Sequence, residues 1–436
     1  MNPTLLILAL LSGCAPKAPP TQTGETNIQL QSFDYAWQRV RDTYHDPNME
    51  GLNWNAIREE LRPQAEGAQG NEETRDVLHD LLSRLDASHF QVVPQSLYEM
   101  SQGGQTNNLG AVETPPPLGT VGLQVRWVEE ALRVTQVTEN SPAAVAGIRR
   151  GYKILSIDGF EPQAILDKAE DTQSLAHLLA RAANSALTGN PGTPVTLAIA
   201  DLGSQEDTLV LTRIESAGDV VQLGYLPPIT VVFEHTIIEQ DAPASIGLIR
   251  FNAFMQPVGT RFTEAMVDLM AQDISGLVID LRGNPGGVVA MTMGMAGHFI
   301  NSPGVSLGTM TQRHMRLTLK VIPRAPSQQF QGPVAILLDE LSASTSEVFA
   351  SGLQALGRAR VFGSTSAGMA LPSIFEVLPN GDGLQFAIGD LHGPSGQRLE
   401  GLGVNPDVPI SLSAAALQAG EDPVQDAAIA WLVTQQ

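Results

Sequence analysis

The pattern of apolar and polar residues predicts a helical N-terminal segment followed by segments that are rich in strands. In residues 28–93, apolar side chains recur at helical spacing and indicate three helices, of which the second is expected to end at Pro63. Residues 119–213 alternate in short runs typical of strands, with two helical stretches among them. From Val220 onward, runs typical of buried strands alternate with helical segments, which indicates an α/β core.

These patterns predict an α/β multidomain protein in six parts. We expect a signal peptide (residues 1–13), a flexible tether (14–27) and an N-terminal helical domain (28–95). A small domain of strands with two helices (118–214), an α/β core (220–415) and a C-terminal helix (416–436) are expected to follow.

The N-terminal segment carries the pattern of an export signal. Residues 5–11 form an apolar run too short to span a bilayer, and small residues follow it up to Cys14. This arrangement resembles a bacterial lipoprotein signal with its lipobox, which implies cleavage before Cys14 and lipid on its sulfur. No Lys or Arg precedes the run, and a plain signal peptide is the alternative. Ala15 stands where inner-membrane retention favours aspartate, so we expect the outer membrane, facing the periplasm or the surface.

Composition narrows the possible partners. Acidic residues outnumber basic ones by 46 to 25, and the formal net charge is −21. Such a surface repels nucleic acid and anionic headgroups, so we expect neither as a partner. A single cysteine that is consumed by lipid leaves no disulfide. No pair of histidines has metal-ligand spacing with a nearby carboxylate, and we predict neither a metal nor a cofactor.

Two strand–turn–helix units in the predicted core carry the candidate chemistry. The strand at residues 276–281 runs into a glycine-rich turn at 282–287, and the strand at 334–338 runs into a serine cluster at 342–346. A serine between a buried strand and a helix N-terminus is exposed beside free backbone N–H groups, which can stabilise an oxyanion. The alternative is that these serines only cap the helix, with Glu347 completing a capping box.

The small domain at 118–214 resembles a bacterial PDZ domain. The similarity lies in the series N-S-P-A-A-x-A-G-I-x-x-G-Y-x-I-L-S-I-D-G, which begins at Asn140. PDZ domains bind an extended peptide as an added strand and hold its C-terminal carboxylate on backbone N–H groups. The resemblance places that carboxylate loop at Gly119, Val121, Gly122 and Leu123. A purely structural lid is the alternative.

The core resembles peptidase family S41, the C-terminal-processing and tricorn-like serine proteases. The similarity lies in four motifs: I-D-L-R-G-N-P-G-G at 279–287, S-A-S-T-S-E at 342–347, G-R-A-x-V-x-G at 357–363 and E-G-L-G-V-N-P-D at 400–407. The resemblance implies that Ser344 is the nucleophile. It also implies that the backbone N–H groups of Thr345 and Gly286 stabilise the oxyanion.

The base of the C-terminal-processing branch is missing from this sequence. That branch uses a lysine at a position that is occupied here by Met369, and methionine cannot accept a proton. The tricorn-like branch uses a histidine preceded by a serine, together with a glutamate. Those positions correspond to His89, Ser88 and Glu400. Neutral imidazole can deprotonate a serine near pH 7. The alternatives are that His89 caps a helix and that Glu400 is a solvated loop residue.

The sequence therefore predicts a lipid-tethered serine endopeptidase of the S41 type in the bacterial cell envelope. Protein or peptide substrates are the expected partners, with the C-terminal tail as a candidate recognition element, together with the membrane through the lipid on Cys14. The first alternative is a PDZ-containing S41-like protein that binds peptides but has lost proteolysis, as Met369 suggests. A carrier of apolar ligands is a weaker alternative, because no sequence feature identifies a lipid pocket.

Overall fold

The structure is a computed structural model that describes residues 27–95, 118–167, 172–222, 228–239 and 245–435. The predicted signal peptide, Cys14 and nearly all of the tether lie outside the described residues. In the described ranges, no helix combines the length and apolar character that crossing a membrane requires.

Three helices and one strand form the N-terminal unit, as the periodicity predicts. They are α1 (Ile28–Thr43), α2 (Trp54–Gly67), α3 (Asn71–Ser83) and β1 (Gln91–Val93). The prediction that Pro63 ends the second helix is wrong, because Pro63 lies inside α2, which continues to Gly67. Proline removes only one helical hydrogen bond, and the buried residues Leu61 and Ala65 on either side keep the helix packed on its neighbours.

The second unit is built on an antiparallel sheet with the strand order β3-β4-β5-β7-β8. The same unit contains a smaller sheet with the strand order β6-β2-β9. The elements are β2 (Gly119–Thr120), β3 (Leu123–Val128), β4 (Ala131–Val137), α4 (Pro142–Val145), β5 (Lys153–Ile157), α5 (Pro162–Leu166), α6 (Thr172–Ala186), β6 (Thr188–Gly189), β7 (Pro194–Ala200), β8 (Glu206–Thr212) and β9 (Ile214–Glu215). The structure therefore has three helices in this unit, where the sequence predicts two.

The core is a six-stranded sheet in the order β12-β13-β14-β17-β18-β22, parallel from β13 onward. Its strands β14 and β17 consist entirely of buried residues, as expected for central parallel strands. The elements are β10 (Asp219–Val221), β11 (Ile229–Val231), β12 (Phe233–Glu239), β13 (Ser245–Phe251), α7 (Gln256–Ala271), β14 (Gly276–Asp280), α8 (Met291–Met295), β15 (Ser306–Gln312), β16 (Met315–Lys320), β17 (Val334–Leu338), α9 (Thr345–Ala355), β18 (Arg360–Gly363), β19 (Ser373–Val377), β20 (Gly383–Ala387), β21 (Gly389–His392), β22 (Val408–Pro409), α10 (Ala414–Ala419) and α11 (Pro423–Thr434).

Both faces of this sheet are covered. Alternate residues of each strand point to opposite faces, so Ile336 packs with α7 and α9 in one apolar cluster, whereas Leu337 packs with α11 in another. The C-terminal part differs from the predicted single helix at 416–436. It forms α10 and α11, which are separated by Gly420 in a left-handed conformation.

The N-terminal unit is docked on the core by strand pairing. Strand β1 pairs antiparallel with β20, and β20 pairs with β19 in the same sheet. One apolar cluster contains both Leu82 from α3 and Phe386 from β20, each of them fully buried or nearly so. Because β1 follows α3 after a short turn, this pairing fixes the position of residues 84–90 against the core.

Candidate active site

Ser344 occupies the turn between β17 and α9. It is the N-cap of α9 and has φ 55° and ψ −113°, a conformation that is rare for a residue with a side chain. Ser342 and Ser346 are buried, and their hydroxyls donate to the carbonyls of Leu281 and Asn284 at 2.9 and 3.0 Å. Ser344 is partly exposed. Of the three serines, it is therefore the one that a substrate can reach.

The glycine-rich turn after β14 lies directly against Ser344. A Cβ atom on Gly286 would lie 2.8 Å from Ser344 Cβ and 2.8 Å from the Thr345 nitrogen, so only glycine fits there. The hydroxyl of Thr345 donates to Gly287 O at 2.8 Å, and the amide of Ala343 donates to Asn284 O at 3.0 Å. These bonds hold the two turns together as one rigid surface.

The structure corrects one predicted oxyanion donor. The N–H of Gly286 donates to Asn284 Oδ1 at 2.9 Å, so it is not free to bind an oxyanion in this conformation. Within the described part of the chain, the N–H groups of Thr345 and Gly287 make no hydrogen bond. Thr345 therefore remains a candidate donor, and Gly287 replaces Gly286 as the candidate from the glycine-rich turn.

Ser88, His89 and Glu400 form one hydrogen-bonded group. Ser88 Oγ lies 2.7 Å from His89 Nδ1 and donates to Glu400 Oε2 at 2.9 Å. The N–H of Ser88 donates to Glu400 Oε1 at 2.7 Å, and the N–H of Ala370 donates to Glu400 Oε2 at 2.7 Å. The glutamate thus orients the imidazole through the serine hydroxyl. This leaves His89 Nε2 as the ring nitrogen that is available for proton transfer.

The imidazole of His89 is held in its neutral form. Burial, together with a smaller effect of the positive charge of Arg181, lowers its pKa to about 4. Burial also raises the pKa of Glu400, against the hydrogen bonds that favour its carboxylate. A neutral imidazole at pH 7 is the form that can accept a proton from a serine.

A short loop joins the nucleophile turn to this group. Glu347 accepts the N–H of Ser344 on Oε2 at 2.7 Å, and its Oε1 accepts the Ser366 hydroxyl at 2.6 Å and the Gly368 N–H at 2.8 Å. Ala370, two residues further on, is bound to Glu400. No hydrogen bond joins Ser344 Oγ to His89 directly, although such contacts commonly tighten only in the complex with substrate.

Met369 lies inside this loop, between the residue bound to Glu347 and the residue bound to Glu400. The described ranges contain two lysines, Lys153 in β5 and Lys320 in β16, and neither forms a hydrogen bond or ion pair with the nucleophile turn. In the described residues, no group of three or more His, Cys, Asp or Glu could hold a metal ion.

Glu347 has a larger part in the site than a helix cap. Burial, with a smaller contribution from the Glu400 carboxylate, raises its pKa to about 6 against the hydrogen bonds that it accepts. Sequence reasoning assigned Glu347 only to the cap alternative. Its position three residues after Ser344, on the buried face of α9, was a signal that it could also bind the loop at 366–368.

The second unit contributes two arginines to the nucleophile turn. Arg126 in β3 pairs with Asp339 at 2.6 Å, and both side chains are mostly buried. Arg181 in α6 donates from Nη2 to Leu341 O at 2.9 Å, and Leu341 itself packs in the apolar core of the second unit. Sequence reasoning missed all of these residues, because no local pattern distinguishes an arginine that contacts another domain from one on the surface.

The predicted carboxylate loop of the second unit is partly satisfied by its own residues. Gly119 lies in β2, Val121 is buried, and Leu123 begins β3. The N–H of Gly122 donates to Thr120 Oγ1 at 2.9 Å, and φ of +78° at Gly122 requires glycine. One of the N–H groups predicted for the peptide carboxylate is therefore already engaged.

The strand to which a peptide would add is also partly occupied. Strand β3 is at the edge of its sheet. The side chain of Asn184 accepts the Val125 N–H at 3.0 Å and donates to Val125 O at 2.8 Å. An added peptide strand would have to displace Asn184 from Val125 to extend along the whole edge.

Comparisons with known proteins agree with this architecture. Residues 245–410 match the model of Peptidase family S41, and residues 29–83 match the model of the Tricorn protease C1 domain. A carboxyl-terminal-processing protease of Picosynechococcus sp. is 26% identical over 438 residues, covering 99% of this chain and 94% of the relative. One of Synechocystis sp. is 27% identical and covers 88% of this chain and 81% of the relative.

Solved structures show the same fold. The photosystem II D1 C-terminal processing protease matches with a TM-score of 0.60 and 22% identity, covering 88% of this chain and 94% of that chain. Mature CPAF complexed with lactacystin matches with a TM-score of 0.62 and 14% identity, covering 94% and 99% of the two chains. Fold and relatives together define a serine-type peptidase. The match of residues 245–410 to peptidase family S41 confirms the resemblance inferred from the motifs.

Proposed function

We propose that the protein is a serine endopeptidase that uses Ser344 as nucleophile and His89 as base, rather than a Ser–Lys pair. The observation that carries this proposal is the chain of contacts from His89 through Ser88 to Glu400, with Met369 at the position where a lysine base is expected. Without a lysine at that position, a histidine with an orienting carboxylate is the base that the site offers.

The proposed reaction is ordinary acyl transfer. Ser344 Oγ attacks the substrate carbonyl carbon while His89 Nε2 takes its proton. The N–H groups of Thr345 and Gly287 stabilise the oxyanion that forms. The C–N bond then breaks, and the imidazolium returns the proton to the leaving amine. Water, deprotonated by His89, releases the acyl group and restores Ser344.

We further propose that the enzyme acts in the bacterial cell envelope, tethered by lipid on Cys14 and facing the periplasm or the surface. This part rests on the sequence pattern of the N-terminus alone. The second unit would bind a substrate tail as a PDZ domain does, once Asn184 leaves the Val125 edge.

Casein cleavage tests the proposal. The wild-type protein should release internal peptides, as mass spectrometry of the products would record, and Ser344→Ala should release none while keeping the wild-type melting temperature. Cleavage retained by Ser344→Ala would refute the assignment of the nucleophile.

A peptide-binding protein without proteolysis is the second candidate, and Met369 is the observation that favours it. It predicts casein binding without any cleavage by the wild type, under conditions in which the protein is folded.

A further inference from the structure

Arg181 extends from the second unit to the nucleophile turn. It lies in α6, and its Nη2 donates to the carbonyl of Leu341 at 2.9 Å. Leu341 precedes Ser344 by three residues in the turn between β17 and α9. A guanidinium from one unit is therefore fixed against the nucleophile turn of another.

The hydrogen bonding of this guanidinium is incomplete. Its Nε is buried and has no hydrogen-bond partner in the described part of the chain. The two carboxylates whose charges act on Arg181 are those of Asp339 and Glu347. Asp339 is paired with Arg126 at 2.6 Å, and Glu347 accepts the N–H groups of Ser344 and Gly368. Both carboxylates are thus committed elsewhere.

A buried cation in this condition is costly. Burial lowers the pKa of the Arg181 guanidinium, which measures the cost of keeping the charge away from water. The same charge lowers the pKa of His89. An Nε–H group without an acceptor, on a side chain that contacts the nucleophile turn, is suited to an anionic group on the substrate.

We propose that Arg181 binds a carboxylate of the peptide that is being cleaved, close to the scissile bond. The carboxylate is either the C-terminal carboxylate of the peptide or the side chain of an aspartate or glutamate. A guanidinium pairs with a carboxylate through parallel N–H···O bonds, and Nε supplies one arm of such a pair. This inference rests on the proposed function, because the ligand is the substrate.

Binding to the Ser344→Ala protein tests the inference without turnover. The probe is a fluorescein-labelled casein-derived peptide in three forms: with a free C-terminal carboxylate, with a C-terminal amide, and with the amide plus a glutamate in place of a glutamine. Fluorescence anisotropy should show at least one carboxylate form binding about tenfold or more tightly than the plain amide. Preference for the free acid identifies the C-terminus as the source, and preference for the glutamate form identifies the side chain.

Variants at Arg181 separate recognition from structure. When Arg181→Gln is added to the Ser344→Ala protein, the carboxylate and amide peptides should bind with about the same affinity. Arg181→Lys should retain part of the preference for the carboxylate, because lysine keeps the charge without the planar fork. Arg149→Gln is the matched control, since Arg149 is an exposed arginine of the same unit, and it should retain the full preference. Equal binding of all forms by Ser344→Ala, or an equal loss for all forms in Arg181→Gln, would overturn the inference.

The outcome is distinguishable from failure of the proposed function. If the wild type cleaves all three peptides equally well, the peptidase assignment stands and the carboxylate subsite is refuted. If the wild type cleaves none of them but the binding preference is present and depends on Arg181, the subsite stands and the peptidase assignment fails.

Discussion

The nucleophile half and the base half of the candidate site are built by different means. The nucleophile half consists of two turns at the ends of neighbouring strands, β14 and β17, and their backbones are hydrogen-bonded to each other. The base half joins Ser88 and Glu400, which are 312 positions apart in the chain. Its geometry depends on the docking of the N-terminal unit on the core, in which β1 pairs with β20 and an apolar cluster is shared. The first half is thus a product of local structure, and the second is a product of docking between units.

This difference decides which changes should be absolute and which should be graded. A change in the nucleophile removes the chemistry, whereas changes in the base half weaken proton transfer or its orientation.

Replacing Ser344 by alanine should reduce kcat/KM by roughly 10⁴-fold or more, because no other group can form the acyl intermediate. Ser342→Ala is the matched control in the same turn. Its hydroxyl donates to Leu281 O, so we expect a loss of about 1 kcal/mol in unfolding free energy with most activity retained. Steady-state cleavage and denaturant unfolding measure the two effects. An inactive but fully folded Ser342→Ala protein would contradict the distinction between the serines.

Replacing His89 by glycine should reduce kcat by about 10²- to 10⁴-fold, the usual range for loss of a general base. Glycine suits the position because φ of His89 is +64°. Added imidazole should restore part of the activity of His89→Gly by occupying the vacated site. Imidazole should restore no activity to the Ser344→Ala protein, because that protein lacks the nucleophile. If imidazole gave no rescue and His89→Gly lost less than tenfold, another base would have to be sought.

Replacing Glu400 by glutamine should lower kcat by roughly 10- to 100-fold with little change in KM, since Glu400 acts on the imidazole through Ser88. Both Glu400 oxygens accept hydrogen bonds, and an amide nitrogen cannot accept. Glu421→Gln is an exposed charge control that should leave the kinetics unchanged. A Glu400→Gln defect confined to KM would indicate a role in substrate binding instead.

The pH profile should show the low pKa of His89. Its base form must be neutral, so the main loss of activity should come as the pH drops through the lowered pKa of about 4, well below the ordinary value near ~6.5. Protonation of Glu347, with a pKa of about 6, should add a shallower decline above that point. Fluorescence of Trp37 and Trp54, which are buried against each other, reports whether the N-terminal unit stays folded. A complete loss of activity in one transition near pH 6.5, with no further transition at lower pH, would contradict the lowered pKa of His89.

The sequence predicts the structure of the nucleophile half of the site, and it identifies the candidate residues of the base half. The buried runs and glycine-rich turn predicted β14, β17 and α9, because their patterning is local. Pro63 and the C-terminal helix were misjudged, because burial of neighbouring residues and a single left-handed glycine decide where helices end.

Contacts between units could not be predicted in the same way. Arg126 and Arg181 have no sequence pattern that connects them with Asp339 and Leu341, and their roles depend on how the second unit sits on the core. Gly286 was a reasonable candidate donor from its glycine-rich turn. The side-chain oxygen of Asn284, two residues earlier, accepts its N–H, and the residue types of the turn do not specify that bond.

Labelling with a fluorophosphonate serine probe tests the central claim most directly, because it requires the nucleophile and its base together. We predict that the wild type is labelled on Ser344, that Ser344→Ala is not labelled, and that His89→Gly is labelled at a rate lower by roughly 10²-fold or more. Peptide mapping by mass spectrometry identifies the modified serine. Labelling on a serine other than Ser344, or an unchanged rate in a folded His89→Gly protein, would contradict a Ser344–His89 peptidase.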